Sequence, residues 1–199
     1  MKAEHYYAEK PKTKYVKYMI RDRIRGFDVI FKSASGVFSA KKIDKASQLL
    51  IEKADLPTEG GRLLDLGCGY GVLGIVAAKA CPQCEVVLTD INKRAVKLAK
   101  ENVLLNRVRA KVKQGNGYAA VEGEKFDIIL LNPPMAAGRD IVLKLIREAP
   151  HHLNPGGSLQ IVARKTKGGQ FLFDEMKKLF LEVKVLAKSG GFWVVKGVK

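Results

Sequence analysis

Long apolar runs are missing from this chain. No stretch of its 199 residues approaches the ~20 that a membrane-spanning helix needs. The opening MKAEHYYAEKPKTKYVKYM has no apolar block of the kind that begins a secretory leader, so the expected location is the cytoplasm. Cysteine and histidine are scarce: Cys68, Cys81 and Cys84, with His5, His151 and His152 elsewhere. CPQC at 81–84 has the Cys-x-x-Cys spacing of a zinc or redox pair, but no second pair follows, and a structural zinc site normally takes four ligands. A turn between a helix and a strand, with no metal, is the expectation. Acidic residues are also few: 20 against 36 Lys and Arg leave a net charge of +16. Residues 1–45 alone hold 12 basic and 5 acidic side chains, a net +7. Such an excess favours a polyanionic partner, nucleic acid before others; a solvated surface that serves only solubility is the alternative.

What is present is a globular pattern, with 47% hydrophobic residues and a length that suits one domain. From Gly61 onward short apolar runs alternate with amphipathic stretches. RLLDLG (62–67), EVVLTD (85–90), AKVKQG (110–115), FDIILLN (126–132) and SLQIVA (158–163) read as strands. Helices are expected over 70–80, 93–106 and 171–180, and around Ile141, Leu145 and Ala149, with NPGG (154–157) as a turn. LEVKVLA and FWVVK flank a Ser189-Gly190-Gly191 turn and should pair antiparallel. The fold class is therefore α/β: a doubly wound, mostly parallel seven-stranded sheet with one antiparallel strand near its edge. Residues 1–45, with Tyr6, Tyr7, Tyr15 and Tyr18 among lysines, fall outside this alternation. They read as a basic N-terminal extension packing on a domain formed by 46–199.

LLDLGCGYGVLG carries the most information. A strand ends at Asp65, and Gly67, Gly69, Gly71 and Gly74 let the backbone turn sharply and approach a ligand at a helix N-terminus. Gly69-x-Gly71-x-x-Gly74 matches a dinucleotide fingerprint, but a carboxylate at the strand end would face a pyrophosphate badly. It suits an ammonium or sulfonium. Asp90 ends the next strand, where a carboxylate can accept both ribose hydroxyls. A cationic nucleoside without phosphate satisfies both acids: S-adenosylmethionine. Asn116 of GNGY (115–118) either meets the adenine edge or serves as turn chemistry.

Asn132-Pro133-Pro134 ends the fourth strand on the same sheet edge. The Asn132 side-chain carbonyl and the Pro133 carbonyl are acceptors, and Pro134 holds Pro133 extended. Two acceptors aimed at one point match the two hydrogens of an exocyclic –NH2. Holding both turns the nitrogen lone pair toward an incoming methyl group, so positioning does most of the work.

LDLGCGYG, TDIN and NPP in this order resemble the class I S-adenosylmethionine-dependent methyltransferases that act on amino nitrogens. GVFSAKKIDKASQLLIE (36–52), NPPMAAG, HLNPGGSLQIVA and SGGFWVVK are similar to the small-subunit ribosomal RNA guanine-N2 methyltransferases, nearest to the short single-domain archaeal members, over roughly 25–199. The resemblance implies that Asp65, Gly67, Cys68, Gly69 and Gly71 hold the methionine part of the cofactor. It implies Asp90 at the ribose, Ile91 and Asn116 at the adenine, and Asn132 with Pro133 at the target amine. The Gly36-Val37-Phe38-Ser39 segment would cover the site. Phe38 is then either a stacking partner for the base or a core residue. Met135 stands where amino-nitrogen methylases commonly have an aromatic, so a second stacking partner is needed; Phe192 and Trp193 are candidates for that role or for the core. Arg139, Lys165 and Lys167 lie just beyond strand ends, either as phosphate contacts or as ordinary surface charge. Competing functions are methylation of a glutamine side-chain amide in a protein, methylation of a tRNA base, and a non-catalytic RNA-binding protein of the same fold. A nicotinamide dehydrogenase is disfavoured by the position of Asp65.

Overall fold

The computed structural model describes Glu9 and residues 13–199; the tyrosines at positions 6 and 7 and the start of the basic extension lie outside the described residues. Strands β1 (Lys17–Ile24) and β2 (Phe27–Ala34) form an antiparallel hairpin closed by Arg25 and Gly26, both with positive φ, 54° and 81°. Two positive φ values match the right-handed twist of the flanking strands. Arg25 also caps the following helix, α1 (Lys45–Lys53): its guanidinium donates to the carbonyls of Ile51 and Ala54, each at 2.8 Å. Ile20 and Ile24 on β1, and Val29 and Phe31 on β2, alternate into the core.

The main sheet begins with β3 (Gly61–Leu66), followed by α2 (Val72–Ala80), β4 (Cys84–Asp90), α3 (Lys93–Leu105) and β5 (Lys111–Gln114). Then come β6 (Phe126–Leu131), α4 (Arg139–Glu148), β7 (Leu153–Arg164), α5 (Gly169–Lys177), β8 (Glu182–Ser189) and β9 (Phe192–Val198). The strand order is β5-β4-β3-β6-β7-β9-β8, and β9 alone runs opposite to the other six strands. This is the doubly wound seven-stranded sheet expected from the alternation, with its reversed strand next to the edge. Helices α1–α3 and the hairpin cover one face, and α4 and α5 the other. Strands buried on both faces need no polar alternation, which is why Leu63, Leu64 and Leu66, or Ile128 to Leu131, read as apolar runs. The order reverses between β3 and β6, so the carboxyl ends of those strands open onto a crevice.

The outer edge of β2 is satisfied by side chains rather than by another strand. Asn102 accepts from Lys32 N at 2.7 Å and donates to Lys32 O at 2.9 Å. One helical turn on, Asn106 does the same for Ile30, at 3.1 and 2.7 Å. Two carboxamides on α3 thus mimic a paired strand and dock the hairpin on the sheet's helical layer.

One local expectation needs correction. NPGG is not a free turn but lies within β7: the register with β6 jumps from Phe126↔Leu153 to Ile128↔Ser158, leaving these residues as a bulge. The end of the chain holds it there, through Gly156 N to Lys199 O and Lys199 N to Gly157 O. In α4 the buried stripe is Val142, Leu143 and Ile146, leading to Ala149, while Ile141 is exposed. That helix carries two apolar stripes because it has two apolar neighbours, the sheet and a cavity. CPQC is the turn between α2 and β4, and its cysteines, Cys81 and Cys84, are joined by a disulfide. Among the described residues no group of three His, Cys, Asp or Glu side chains could hold a metal, and no helix is long and apolar enough to cross a membrane.

Candidate active site

One cavity opens at the carboxyl ends of β3, β4 and β6. Asp65, the Gly67-Cys68-Gly69 loop, Asp90, Ile91, Asn116, Asn132, Pro133 and Pro134 all line it. The loop after β3 is stitched to β4: the amides of Gly67 and Cys68 both donate to Thr89 O, at 2.8 and 2.9 Å, and Gly69 N donates to Asp90 Oδ2 at 2.8 Å. Gly67, Gly69 and Gly71 have φ of 73°, 58° and 100°, a path that a side chain would strain. Gly74 has a different task, close packing of α2 on the sheet: a Cβ there would lie 2.6 Å from Leu88 Cγ.

Asp65 is fully buried. Its Oδ2 accepts from Gly74 N at 2.8 Å, whereas Oδ1 has no hydrogen-bond partner among the described residues. Burial pushes its pKa up to about 7; the Gly74 amide pulls it down and the charge of Asp90 adds to the rise. A buried carboxylate with one unpartnered oxygen on a cavity wall is a charge that the protein itself does not compensate, and a cation placed beside it would offset that cost. Thr89, whose buried Oγ1 is likewise without a partner among the described residues, lines the same cavity. Burial also raises Asp90, offset by the amides of Asn92, Gly69 and Ile91. Asp90 Oδ1 accepts from Asn92 N and Oδ2 from Gly69 N, each at 2.8 Å, and a carboxylate's two oxygens offer about four lone-pair sites, which leaves acceptor capacity for a ligand hydroxyl. The Cys68 thiol is pushed up strongly, first by burial and then by Asp65 and Asp90, so it stays protonated and inert. Asn116 begins a 3₁₀ turn over Gly117–Val121 without capping it, so its amide remains available to the cavity.

Asn132 is fixed by partners that sequence reasoning missed. Its Nδ2 donates to Asp44 Oδ2 at 3.1 Å and to Ser47 Oγ at 2.8 Å. A carboxylate only accepts, so the –NH2 must face Asp44, which leaves the Asn132 carbonyl for the cavity. Asp44 is the N-cap of α1, accepting from Ser47 N at 2.9 Å. The signal in the sequence was the Asp-x-x-Ser cap in KKIDKAS, legible as a helix start but not as part of a site. Pro133 departs from expectation: its carbonyl already accepts from Met135 N at 2.8 Å. Pro134, at φ −75° and ψ 73°, makes an inverse γ-turn there, and one lone pair of Pro133 O remains.

A strap over residues 35–43 covers the cavity. Asn92 Nδ2 donates to Gly36 O at 2.9 Å, Arg94 holds Ser35 O, and the Tyr70 hydroxyl reaches Lys42 O at 3.4 Å. Phe38 lies in the cavity wall, as do Tyr70, Ile141 and Leu145, which sequence reasoning had not assigned to the site. Met135, Arg139, Lys165 and Lys167 do not line the cavity. Met135 packs toward Gly168, Arg139 stacks on Phe171 at 4.7 Å, and Lys165 lies 5.2 Å from the Trp193 ring centre. Phe192 and Trp193 are also outside it: Arg164 covers the Phe192 ring, and Trp193 packs edge-on against Phe173.

Comparison with known proteins agrees with this geometry. Over 199 residues the chain is 37% identical to the uncharacterized protein YbxB of Bacillus subtilis, covering 99% of both. It is 38% identical over 176 residues to the ribosomal RNA small subunit methyltransferase C of Photorhabdus laumondii, covering 86% of this chain and 51% of that one. It spans about half the length of the curated methyltransferases it matches. Among solved structures, the T. thermophilus 16S rRNA N2 G1207 methyltransferase (RsmC) in complex with AdoMet and guanosine superposes with a TM-score of 0.78 at 28% identity. That match covers 94% of this chain and 51% of the other. Residues 28–196 match the family described as the methyltransferase small domain, and the chain belongs to that family.

Proposed function

We propose that this protein transfers a methyl group from S-adenosylmethionine to an exocyclic amino nitrogen of an RNA base, N2 of guanine in small-subunit ribosomal RNA. The observation that carries this reading is the locked Asn132 amide, whose carbonyl shares a cavity with the orphaned Asp65 Oδ1. The residues fit the cofactor. Asp65 meets its positive charge, Asp90 accepts from its ribose hydroxyls, and Ile91 and Asn116 lie against its adenine. When bound, the cofactor supplies an electrophilic methyl carbon.

The protein's part is alignment. Asn132 Oδ1 and the remaining lone pair of Pro133 O accept the two amino hydrogens, and the nitrogen lone pair turns out of the ring plane toward that carbon. Bound in this pocket, the cofactor would yield its methyl carbon to the amino nitrogen and keep the C–S electron pair on sulfur, and the amine would release one proton to water. No strong base is required, and such positioning can contribute ~7–11 kcal/mol. Phe38 supplies a ring face for the base. Arg139, Lys165 and Lys167 meet backbone phosphates outside the cavity, and the net charge of +16 suits a polyanion acting in the cytoplasm.

The test is transfer of labelled methyl to purified small-subunit ribosomal RNA, with mapping of the modified nucleotide. Asn132→Ala should lower kcat by roughly 10²–10³-fold, the scale for losing one preorganised polar contact, while cofactor affinity is unchanged. Full activity in that variant would end the proposed role.

A further inference from the structure

We infer that Asp44 selects the base: its free carboxylate oxygen accepts the N1–H of guanine, while its other oxygen and Ser47 hold Asn132 in the orientation that receives the neighbouring amino group. The inference rests on the guanine-N2 reading above and deepens it.

Asp44 Oδ2 is saturated. It accepts from Asn132 Nδ2 at 3.1 Å, from Ser47 N at 2.9 Å and from the Ser47 hydroxyl at 3.4 Å. Asp44 Oδ1 makes no hydrogen bond among the described residues, and Asp44 and Ser47 both line the cavity beside Asn132. The wall that meets the base therefore offers adjacent acceptors: Asp44 Oδ1, Asn132 Oδ1 and one lone pair of Pro133 O. Guanine presents the complement, an N1–H donor next to a C2 amino group with two donors. Adenine presents its exocyclic amine beside an unprotonated N1, so a lone pair would face the carboxylate. Cytosine has the same fault at N3. A site of this polarity rejects them by repulsion as well as by lost hydrogen bonds. Ser47 is a positioning residue: it touches Asn132, not the base.

Asp44 also sits where the strap meets α1, and the Tyr70 hydroxyl binds that strap through Lys42 O, 3.4 Å away. The strap's end and the aim of Asn132 thus share one carboxylate. Asn caps a helix as well as Asp does, so Asp44→Asn preserves the start of α1 while reversing the polarity of the group offered to N1. Its carbonyl can still accept from Asn132 and Ser47, which turns its –NH2 toward the base.

The experiment uses the full chain and synthetic RNA spanning the mapped nucleotide, with guanine or 2-aminopurine at that position. 2-Aminopurine keeps the C2 amine but has a bare N1. Wild type should favour guanine in kcat/KM by at least about a hundredfold, as sites built around a substrate donor do. Asp44→Asn should shrink that ratio by about tenfold or more, with faster transfer to 2-aminopurine and unchanged cofactor affinity. Ser47→Ala should lower kcat on both bases and leave the ratio alone. Wild-type protein that methylates both bases equally overturns the inference, and this arm needs no variant to fold. An unchanged ratio in a folded Asp44→Asn protein also overturns it. Either result leaves guanine-N2 methylation standing, whereas failure to methylate any guanine in ribosomal RNA removes the underlying reading itself.

Discussion

Replacing Asp65 by Asn should make the cofactor-free protein more stable while destroying cofactor binding. Burial raises this carboxyl from an ordinary 3.8 to about 7. Below pH 3.8 the group is protonated in both folded and unfolded chains and costs nothing. As pH rises from there to about 7 the unfolded chain ionises first, so stability is lost through that window and the loss is complete above it. At ~1.4 kcal/mol per pH unit, the displacement amounts to ~4 kcal/mol. Asparagine keeps an acceptor for Gly74 N and has no charge to desolvate, so it escapes this cost. Urea denaturation of both proteins without cofactor should show the variant ahead at pH 8, with the gap narrowing by ~2–3 kcal/mol at pH 5. Calorimetry should show the reverse for function. Wild-type affinity for S-adenosylmethionine should fall by up to about tenfold per pH unit below 7, as the carboxylate protonates. The variant should bind weakly at every pH. A variant less stable than wild type at pH 8, or one that binds the cofactor normally, would refute the reasoning that Asp65 is a strained charge kept for a cation.

Gly74→Ala places a Cβ 2.6 Å from Leu88 Cγ in the core, so thermal unfolding should show a loss of about 1–3 kcal/mol from overpacking. Neutralising Arg139, Lys165 and Lys167 together should weaken RNA binding and reduce the slope of log K against log salt by about 2–3, with cofactor affinity unchanged; an unaltered slope would place the RNA elsewhere.

Much of the site could be read along the chain because parallel sheets concentrate function at strand ends. Asp65 stands next to last in its strand, Asp90 ends its own and Asn132 follows directly on its own, and the order reversal between β3 and β6 brings these strand ends to one cavity. What escaped was any contact between distant segments. Asn132 and Asp44 lie 88 positions apart, and nothing local in either says that they touch. The same is true of Asn102 and Asn106, which look like ordinary helix polar residues until β2 is laid beside them. Periodicity identified α4 but not which of its two apolar stripes faces the sheet.

Composition and spacing by themselves determined the layered fold and the reversed strand beyond the Gly190-Gly191 turn, and placed two aspartates at neighbouring strand ends. These rest on hydrophobic period, backbone stereochemistry and charge, all properties of short segments. Only the tertiary structure decided which atoms are left over. Folding supplies Asp65 Oδ2, Asp90 and Asn132 Nδ2 with partners, and occupies one lone pair of Pro133 O. It leaves Asp65 Oδ1, Asp44 Oδ1 and the Asn132 carbonyl without partners among the described residues, on side chains that line one cavity. Hydrogen-bond capacity is fixed by residue type, but which part of it remains unspent depends on every neighbour the chain brings near.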